Sequence, residues 1–231
     1  MHITPDQIEL WRHGLFHINA TIVYTWLVML LLSVGSWLVT RNLAAAGHND
    51  RQARSRWQNA IEFIVQAIRS QIRDICPGGN GDTYLPFIGT LFLFVAASNL
   101  LDIVPAWHAP TASLSTTAAL AICVGVAVPV FGIRSQGLTH YARHYLSPTF
   151  VMLPFHVLSE TSRNLALAVR LFGNMMSGAM LVGVLLAIAP FFFPVAMQVL
   201  GLLTGMIQAY IFAILAMVYI AAAVQRGQEE T

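Results

Sequence analysis

The sequence predicts an all-α polytopic membrane protein of about five membrane helices, the last two a long tilted hairpin, plus one interfacial amphipathic helix. Two observations carry this. Of 231 residues, 57% are hydrophobic and only 10% charged, against roughly 25% charged in an ordinary soluble domain. The mean hydropathy is +0.67, and several uncharged runs exceed the roughly 20 residues a membrane helix needs. A water-soluble enzyme, a disordered chain and a nucleic-acid binder are excluded together. The net charge is only +2, and all 12 basic residues are Arg, scattered over short loops instead of forming a basic patch. Cys76 and Cys123 stand 47 apart with no ligand-like spacing, so they read as inert thiols and no metal site or cofactor is expected.

The elements follow in order. The uncharged stretch 18–40 is long enough to cross a bilayer with slight tilt, after an external N-terminus, 1–17. A signal peptide is the rival reading, with Ala44-Ala45-Ala46 as a mimic of a cleavage site. The stretch is longer than a signal core, however, and its flank mixes Asp6 and Glu9 with Arg12, so a retained helix is expected. Next, Ile61, Ile64, Val65, Ile68 and Ile72 recur at helical spacing while Glu62, Gln66, Arg69 and Arg73 point elsewhere, which predicts an interfacial amphipathic helix over 53–75. Pro77-Gly78-Gly79 ends it. Between Thr83 and Ile133 the single charge is Asp102, and Pro105, Pro110 and the polar stretch 111–117 divide the run into spans at 84–104 and 114–133. From Leu171 to Gln225 no residue is charged. Those 55 residues would make a single helix of about 80 Å, far beyond a ~30 Å hydrocarbon core. Pro190 and Pro194 therefore mark a hairpin between long helices at 150–189 and 192–225. All of this reads as one membrane domain, 1–231.

Arginine sets the sidedness. Segment 41–74 carries six (Arg41, Arg51, Arg54, Arg56, Arg69, Arg73), loop 134–149 carries Arg134 and Arg143, and loop 105–113 carries none. The first two are expected to be cytoplasmic, with the N-terminus outside and the C-terminus inside.

The segment carrying chemistry is 156–177. On a helix, His156, Glu160, Arg163, Leu167, Arg170, Asn174 and Ser177 share an arc of about 100°. Glu160 and Arg163, three apart, suit a structural ion pair. Arg170 is different: Glu160 is ten residues away, about 15 Å of rise, too far to pair within one helix. A charge at membrane depth costs about 2.5–3.5 kcal/mol on insertion scales. Its counter-charge must come from another helix or another subunit, and Asp102 and Glu160 are the chain's only other acidic residues near that depth.

Arg170-Leu171-Phe172-Gly173-Asn174-Met175, preceded by Leu165-Ala166-Leu167-Ala168-Val169, resembles the signature of subunit a of the rotary F-type ATP synthases, in its bacterial or plastid form. Gln58-Asn59-Ala60-Ile61-Glu62, Ser98-Asn99-Leu100-Leu101-Asp102 with Pro105, and Gln208-Ala209-Tyr210-Ile211-Phe212 resemble further landmarks of that family, in the same order along nearly the whole chain. The resemblance implies the stator of the membrane (Fo) motor in a bacterial plasma membrane. Its partners would be a ring of c subunits, peripheral-stalk b subunits, the F1 head through the complex, and lipid. It implies that Arg170 faces the ring and meets each ring carboxylate as it passes between two half-channels carrying H⁺ or Na⁺. A guanidinium stays charged at any relevant pH, which suits that role. Asn174 and Gln208 match family positions near the arginine. Gly201, Thr204 and Gly205 fall on the face of Gln208, where small residues permit close approach. Ser159 and Ser162 match half-channel positions, although serines bonding back to their own helix fit as well. His156 and Glu160 read as a proton or cation relay, the alternative being a buried His at the membrane interface.

The departures bear on the ion. Ser113 and Ser115, Ala179 and Gly201 stand where relatives often carry ionisable or amide groups. Either water and hydroxyls carry the path by which ions enter, or the coupling ion is Na⁺, which needs oxygen ligands. The departures suggest a divergent, N-type branch that works mainly as an ATP-driven pump. A haem-binding cytochrome needs facing histidine pairs, and only His156 and His108 approach membrane depth. A secondary transporter needs inverted halves, which the chain does not display. A non-conducting anchor would lack Arg170. No phosphate loop or nucleophile motif is present, so the chain alone is expected to catalyse no bond chemistry.

Overall fold

The structure, a computed structural model, describes residues 9–13, 16–45, 56–76, 81–104, 107, 109–137, 153–189 and 192–225. The turn at Pro77-Gly78-Gly79, the loop with His140, Arg143 and His144, the Pro190-Phe191 part of the hairpin, and residues 1–8 and 226–231 lie outside the described residues.

Among the described residues there are six α-helices: α1 Ala20–Ala45, α2 Arg56–Ile75, α3 Gly81–Leu101, α4 Leu114–Gln136, α5 Leu153–Ile188 and α6 Phe193–Gln225. All but α2 are long and apolar enough to cross a membrane. Before them, β1 Glu9–His13 pairs antiparallel with β2 Phe16–Asn19. The sequence reading did not foresee this ribbon, and it is why α1 begins at Ala20 and not at Ile18: Ile18 and Asn19 are paired with Trp11 and Glu9.

The bundle is organised around α6, which packs on α2, α3, α4 and α5. Buried Ala209, Ala213, Ala216 and Ala221 give it a seam of small side chains. That suits a membrane bundle, where lipid is as apolar as leucine and close helix contact, more than hydrophobic expulsion, holds helices together. The shared core includes Val95, Val124, Leu171, Phe212 and Ile220, all at 0% exposure. By contrast α1 lies at the margin, with Trp26 at 71% and Leu30 at 64% exposure.

The helix α2 lies along α3, burying Ile72 and half-burying Ile64 and Ile68. At the turn into α3 a Cβ on Gly81 would stand 2.9 Å from Ile72 Cγ2, so glycine permits that approach. Arg69 clamps the junction by donating to both carboxylate oxygens of Asp82, at 2.7 and 2.5 Å. The helix α3 starts at Gly81 and stops at Leu101, earlier at both ends than 84–104. Asp102–Val104 form a turn instead, with the N–H of Val104 donating to Leu101 O at 3.0 Å. A 3₁₀ turn, Pro110–Ala112, leads into α4. The latter runs three residues past 133 and ends at Gly137, whose φ of 86° suits glycine and whose N–H donates to Ile133 O at 2.8 Å. Gln136 Nε2 reaches the carbonyls of Ala223 and Val224 at 2.8 and 2.9 Å, fastening α4 to the end of α6.

The two last helices have 36 and 33 residues, about 50 Å each, so they cross a ~30 Å core inclined or protrude from it. Pro194 sits in the first turn of α6, where its missing N–H leaves no helix bond unmade.

Candidate functional site

The helix α5 buries Leu167, Ala168, Leu171 and Met175 against the bundle. A Cβ at Gly125 of α4 would run into the amide of Asn164, so glycine there lets α4 and α5 close on one another. The polar arc read from the sequence lies along the border of this packed face. Leu167 is inside; His156, Glu160, Arg163 and Asn174 are half-buried; Arg170 and Ser177 are exposed. Around Arg170 the exposed neighbours Ala166, Gly173 and Ser177 are small, and a Cβ at Gly173 would meet open space. Among the described residues no carboxylate pairs with Arg170. The adjoining surface is apolar, with Val169 at 52%, Val184 at 57%, Leu203 at 58% and Ile207 at 50% exposure.

Arg163 is held differently. Its guanidinium carbon stands 5.1 Å from the ring centroid of Tyr219 on α6, a cation–π contact. Ser159 and Ser162 are exposed, as Arg170 is, but Ser162 points well away from its face at 100° per residue. On α6, Gln208 is buried, and its Nε2 has no hydrogen-bond partner among the described residues. Gly205 is buried with it. Thr204, however, is exposed and donates to Leu200 O and Gly201 O of its own helix, at 3.1 and 3.0 Å. Of the small face expected of Gly201, Thr204 and Gly205, only Gly205 meets a close neighbour, Asn99; a Cβ at Gly201 would meet nothing within 4 Å.

A second polar cluster gathers at the end of α3. Asn99, buried, donates through Nδ2 to Gly205 O at 2.6 Å and accepts from Thr111 Oγ1 at 3.2 Å, joining α3, α6 and the 3₁₀ turn. Asp102 Oδ1 accepts the N–H of Ala109 at 3.3 Å, and Ser113 and Ser115 hydroxyls stand 2.6 Å apart. Between α3, α5 and α6 lies a cavity of about 210 Å³ walled by Asn99, Asp102, Trp107, Asn174, Gln198 and Gly201, among others. The sequence reading used Asn99 as a landmark, and Asp102 as a landmark and one of the few acids near the depth of Arg170, and passed over Trp107 and Gln198. Two polar groups three apart at the end of an uncharged span were the available signal for the first pair. Nothing in the sequence marks the other two. Among the described residues no group of three or more His, Cys, Asp or Glu is placed to hold a metal ion.

Five long apolar helices and one amphipathic helix define a multi-pass membrane protein, and its longest helix exposes Arg170 with no carboxylate partner among the described residues. Residues 22–221 match the family of the ATP synthase A chain. The chain is 59% identical over 228 residues to ATP synthase subunit a 2 of Acaryochloris marina, covering 99% of this chain and 95% of that one. It is 58% identical to ATP synthase subunit a of Albidiferax ferrireducens, covering 99% and 96%. It is 53% identical to ATP synthase subunit a 1 of Chlorobaculum parvum, over the whole of both. The chain belongs to the ATP synthase subunit a family.

Proposed function

We propose that this chain is the stator of a rotary F-type ATP synthase or ATPase, and that Arg170 couples movement of H⁺ or Na⁺ to rotation of a ring of c subunits. The observation that carries the reading is the placement of Arg170. It is exposed on a membrane-spanning helix, unpaired among the described residues, and ringed by Ala166, Gly173 and Ser177. Facing lipid, such a charge is disfavoured by several kcal/mol; facing a ring carboxylate, it has its partner. The small neighbours allow a ring helix to come close. Because the guanidinium does not deprotonate, it keeps the passing carboxylate ionised and blocks direct leakage between two half-channels. Each elementary charge crossing the membrane is worth about 2.3 kcal/mol per 100 mV, and several charges per turn sustain ATP formation or are driven by its hydrolysis.

Asn174, one turn beyond Arg170, and Gln208, buried on the facing helix, orient the guanidinium and the ions beside it. His156, Glu160, Ser159, Ser162 and Arg163 line the cytoplasmic approach, Arg163 being steadied by Tyr219. The N-terminus faces outward and the C-terminus the cytoplasm, in a bacterial plasma membrane. Peripheral-stalk b subunits hold the chain against the F1 head. The long hairpin lies inclined along the ring. Cysteine cross-linking tests this facing: Gly173→Cys paired with a cysteine beside the ring carboxylate forms a disulfide in the assembled complex, whereas Leu165→Cys, about 140° round α5 from Arg170 and roughly 12 Å along it from Gly173, does not. A reversed pattern contradicts the reading.

A further inference from the structure

We infer that the cleft between α2, α3 and α6 holds one acyl chain of a zwitterionic phospholipid, whose headgroup sits over Arg73 and Asp74 on the exposed flank of α2. No residue of α5 lines this cleft, so the inference stands apart from the stator reading.

The cleft has a volume of about 310 Å³ and is walled by Phe63, Ala67 and Ser70 of α2, Phe92 of α3, and Tyr210 and Met217 of α6, among others. It follows from the way α2 is seated. This helix lies along α3 and touches α6 only lightly, while its apolar arc is wider than α3 alone covers. At 100° per residue Phe63 and Ala67 continue the arc of Ile64 and Ile68 on the side towards α6, and Phe63 is still 72% exposed. An amphipathic helix of this kind lies at the membrane–water boundary, so its polar flank stands at headgroup level with the cleft beneath it.

Size and chemistry select the occupant. Among the described residues the polar side chains in the walls are Ser70, Gln71 and Tyr210, and the Ser70 hydroxyl already donates to Ala67 O at 2.9 Å. Buried water needs about two to four polar partners each, which a lining so rich in carbon does not supply. A partner helix, ~10 Å across, takes about 400 Å³ per turn, more than the whole cleft. A linear hydrocarbon fits: at roughly 30 Å³ for each water-sized group, there is room for about ten methylenes, in contact with three helices at once. Bulk lipid makes no such contact, and close packing is what distinguishes a site from lipid in a membrane. The headgroup follows from charge. Arg73 and Asp74, three and four residues past Ser70 and so on its side of α2, are both exposed, while Arg69 is engaged by Asp82. A guanidinium suits a phosphate and a carboxylate suits an ammonium. A headgroup carrying both satisfies the pair, whereas a purely anionic one is repelled by Asp74.

The test uses the assembled complex in vesicles doped with phosphatidylethanolamine that carries a diazirine near the end of one acyl chain. Photolabelled peptides are located and quantified by mass spectrometry. Labelling of residues 63–71 and 210–217 is expected to exceed severalfold that of the exposed α1 surface around Trp26 and Leu30, which reports ordinary surrounding lipid. Ala67→Trp, which fills the cleft, is expected to bring the 210–217 label down to the α1 level, whereas Gln66→Trp, the same bulk on the polar face of α2, leaves it as in the native chain. The same probe with a phosphatidylglycerol headgroup is expected to label the cleft severalfold less, and Asp74→Asn to narrow that gap. Native labelling no stronger at 210–217 than at α1, or an undiminished label in an assembled Ala67→Trp complex, overturns the inference. If Ala67→Trp does not assemble, the comparison with α1 decides alone. Equal labelling by the two headgroups contradicts the assignment to Arg73 and Asp74. Benzoylphenylalanine placed at Phe63 checks the rival occupant: a cross-link to another protein chain in place of lipid would show a partner helix on this face and also overturn the inference.

Discussion

Gly205→Ala is a sensitive probe of how α6 is seated on α3. The added Cβ would stand 3.1 Å from Asn99 Nδ2 and 3.2 Å from both Cβ and Cγ of Asn99, where carbon contacts prefer about 3.5–4.0 Å. Asn99 has little freedom to withdraw, because its amide is tied to Gly205 O at 2.6 Å and to Thr111 Oγ1 at 3.2 Å. Overpacking of this kind costs about 1–3 kcal/mol. Asn99→Ala alone loses two buried hydrogen bonds, and at about 0.6 to 1.7 kcal/mol each in a membrane interior that amounts to about 1–3 kcal/mol. In the double variant two of the three close contacts are gone, so Gly205→Ala adds under about 1 kcal/mol, and the cycle shows a coupling of about 1 kcal/mol or more. Equilibrium unfolding by SDS in mixed micelles, followed by circular dichroism, measures all four corners. Additive costs within about 0.5 kcal/mol, or a neutral Gly205→Ala, refute the described seating.

Two further outcomes follow from the packing. Leu171→Ala empties a fully buried site next to Arg170. Because lipid competes for the leucine about as well as the core does, the loss is mainly of packing contacts, about 1–3 kcal/mol in the same unfolding assay. Gln136→Leu removes both bonds to Ala223 and Val224. It is expected to cost about 1 kcal/mol and to speed deuterium uptake at the end of α6, detectable by exchange mass spectrometry, while α3 exchanges as before.

Much of this fold is legible before any coordinates, for a physical reason. Length and apolarity alone decide which segments cross a membrane, and the 55 uncharged residues after Arg170 with two prolines among them leave little choice but a hairpin. The amphipathic spacing of Ile61, Ile64, Val65, Ile68 and Ile72 likewise marks α2, which packs beside α3. What hydropathy does not contain is contact. That Arg69 clamps Asp82, that Arg163 lies over Tyr219 and that Asn99 bridges α3 to Gly205 are pairings between residues 13, 56 and 106 apart, set by the angles at which helices cross. The β1–β2 ribbon was equally hidden, since a four- or five-residue strand beside a long span has no periodicity of its own. Within the site, the lack of a carboxylate partner for Arg170 among the described residues could be anticipated, because Glu160 lies ten residues away on the same helix. The cavity beside Asp102 could not, because its walls come from three helices and the connection after α3, and two of the residues lining it are the small Ala179 and Gly201.

The most direct test of the coupling role is ATP-driven ion uptake into vesicles carrying the assembled complex, native against Arg170→Ala, each with and without Na⁺. The account predicts that Arg170→Ala assembles and abolishes coupled uptake, while the Na⁺ dependence of the native signal names the ion. Assembled Arg170→Ala complexes that take up ions at the native rate would show that this arginine is structural and contradict the account.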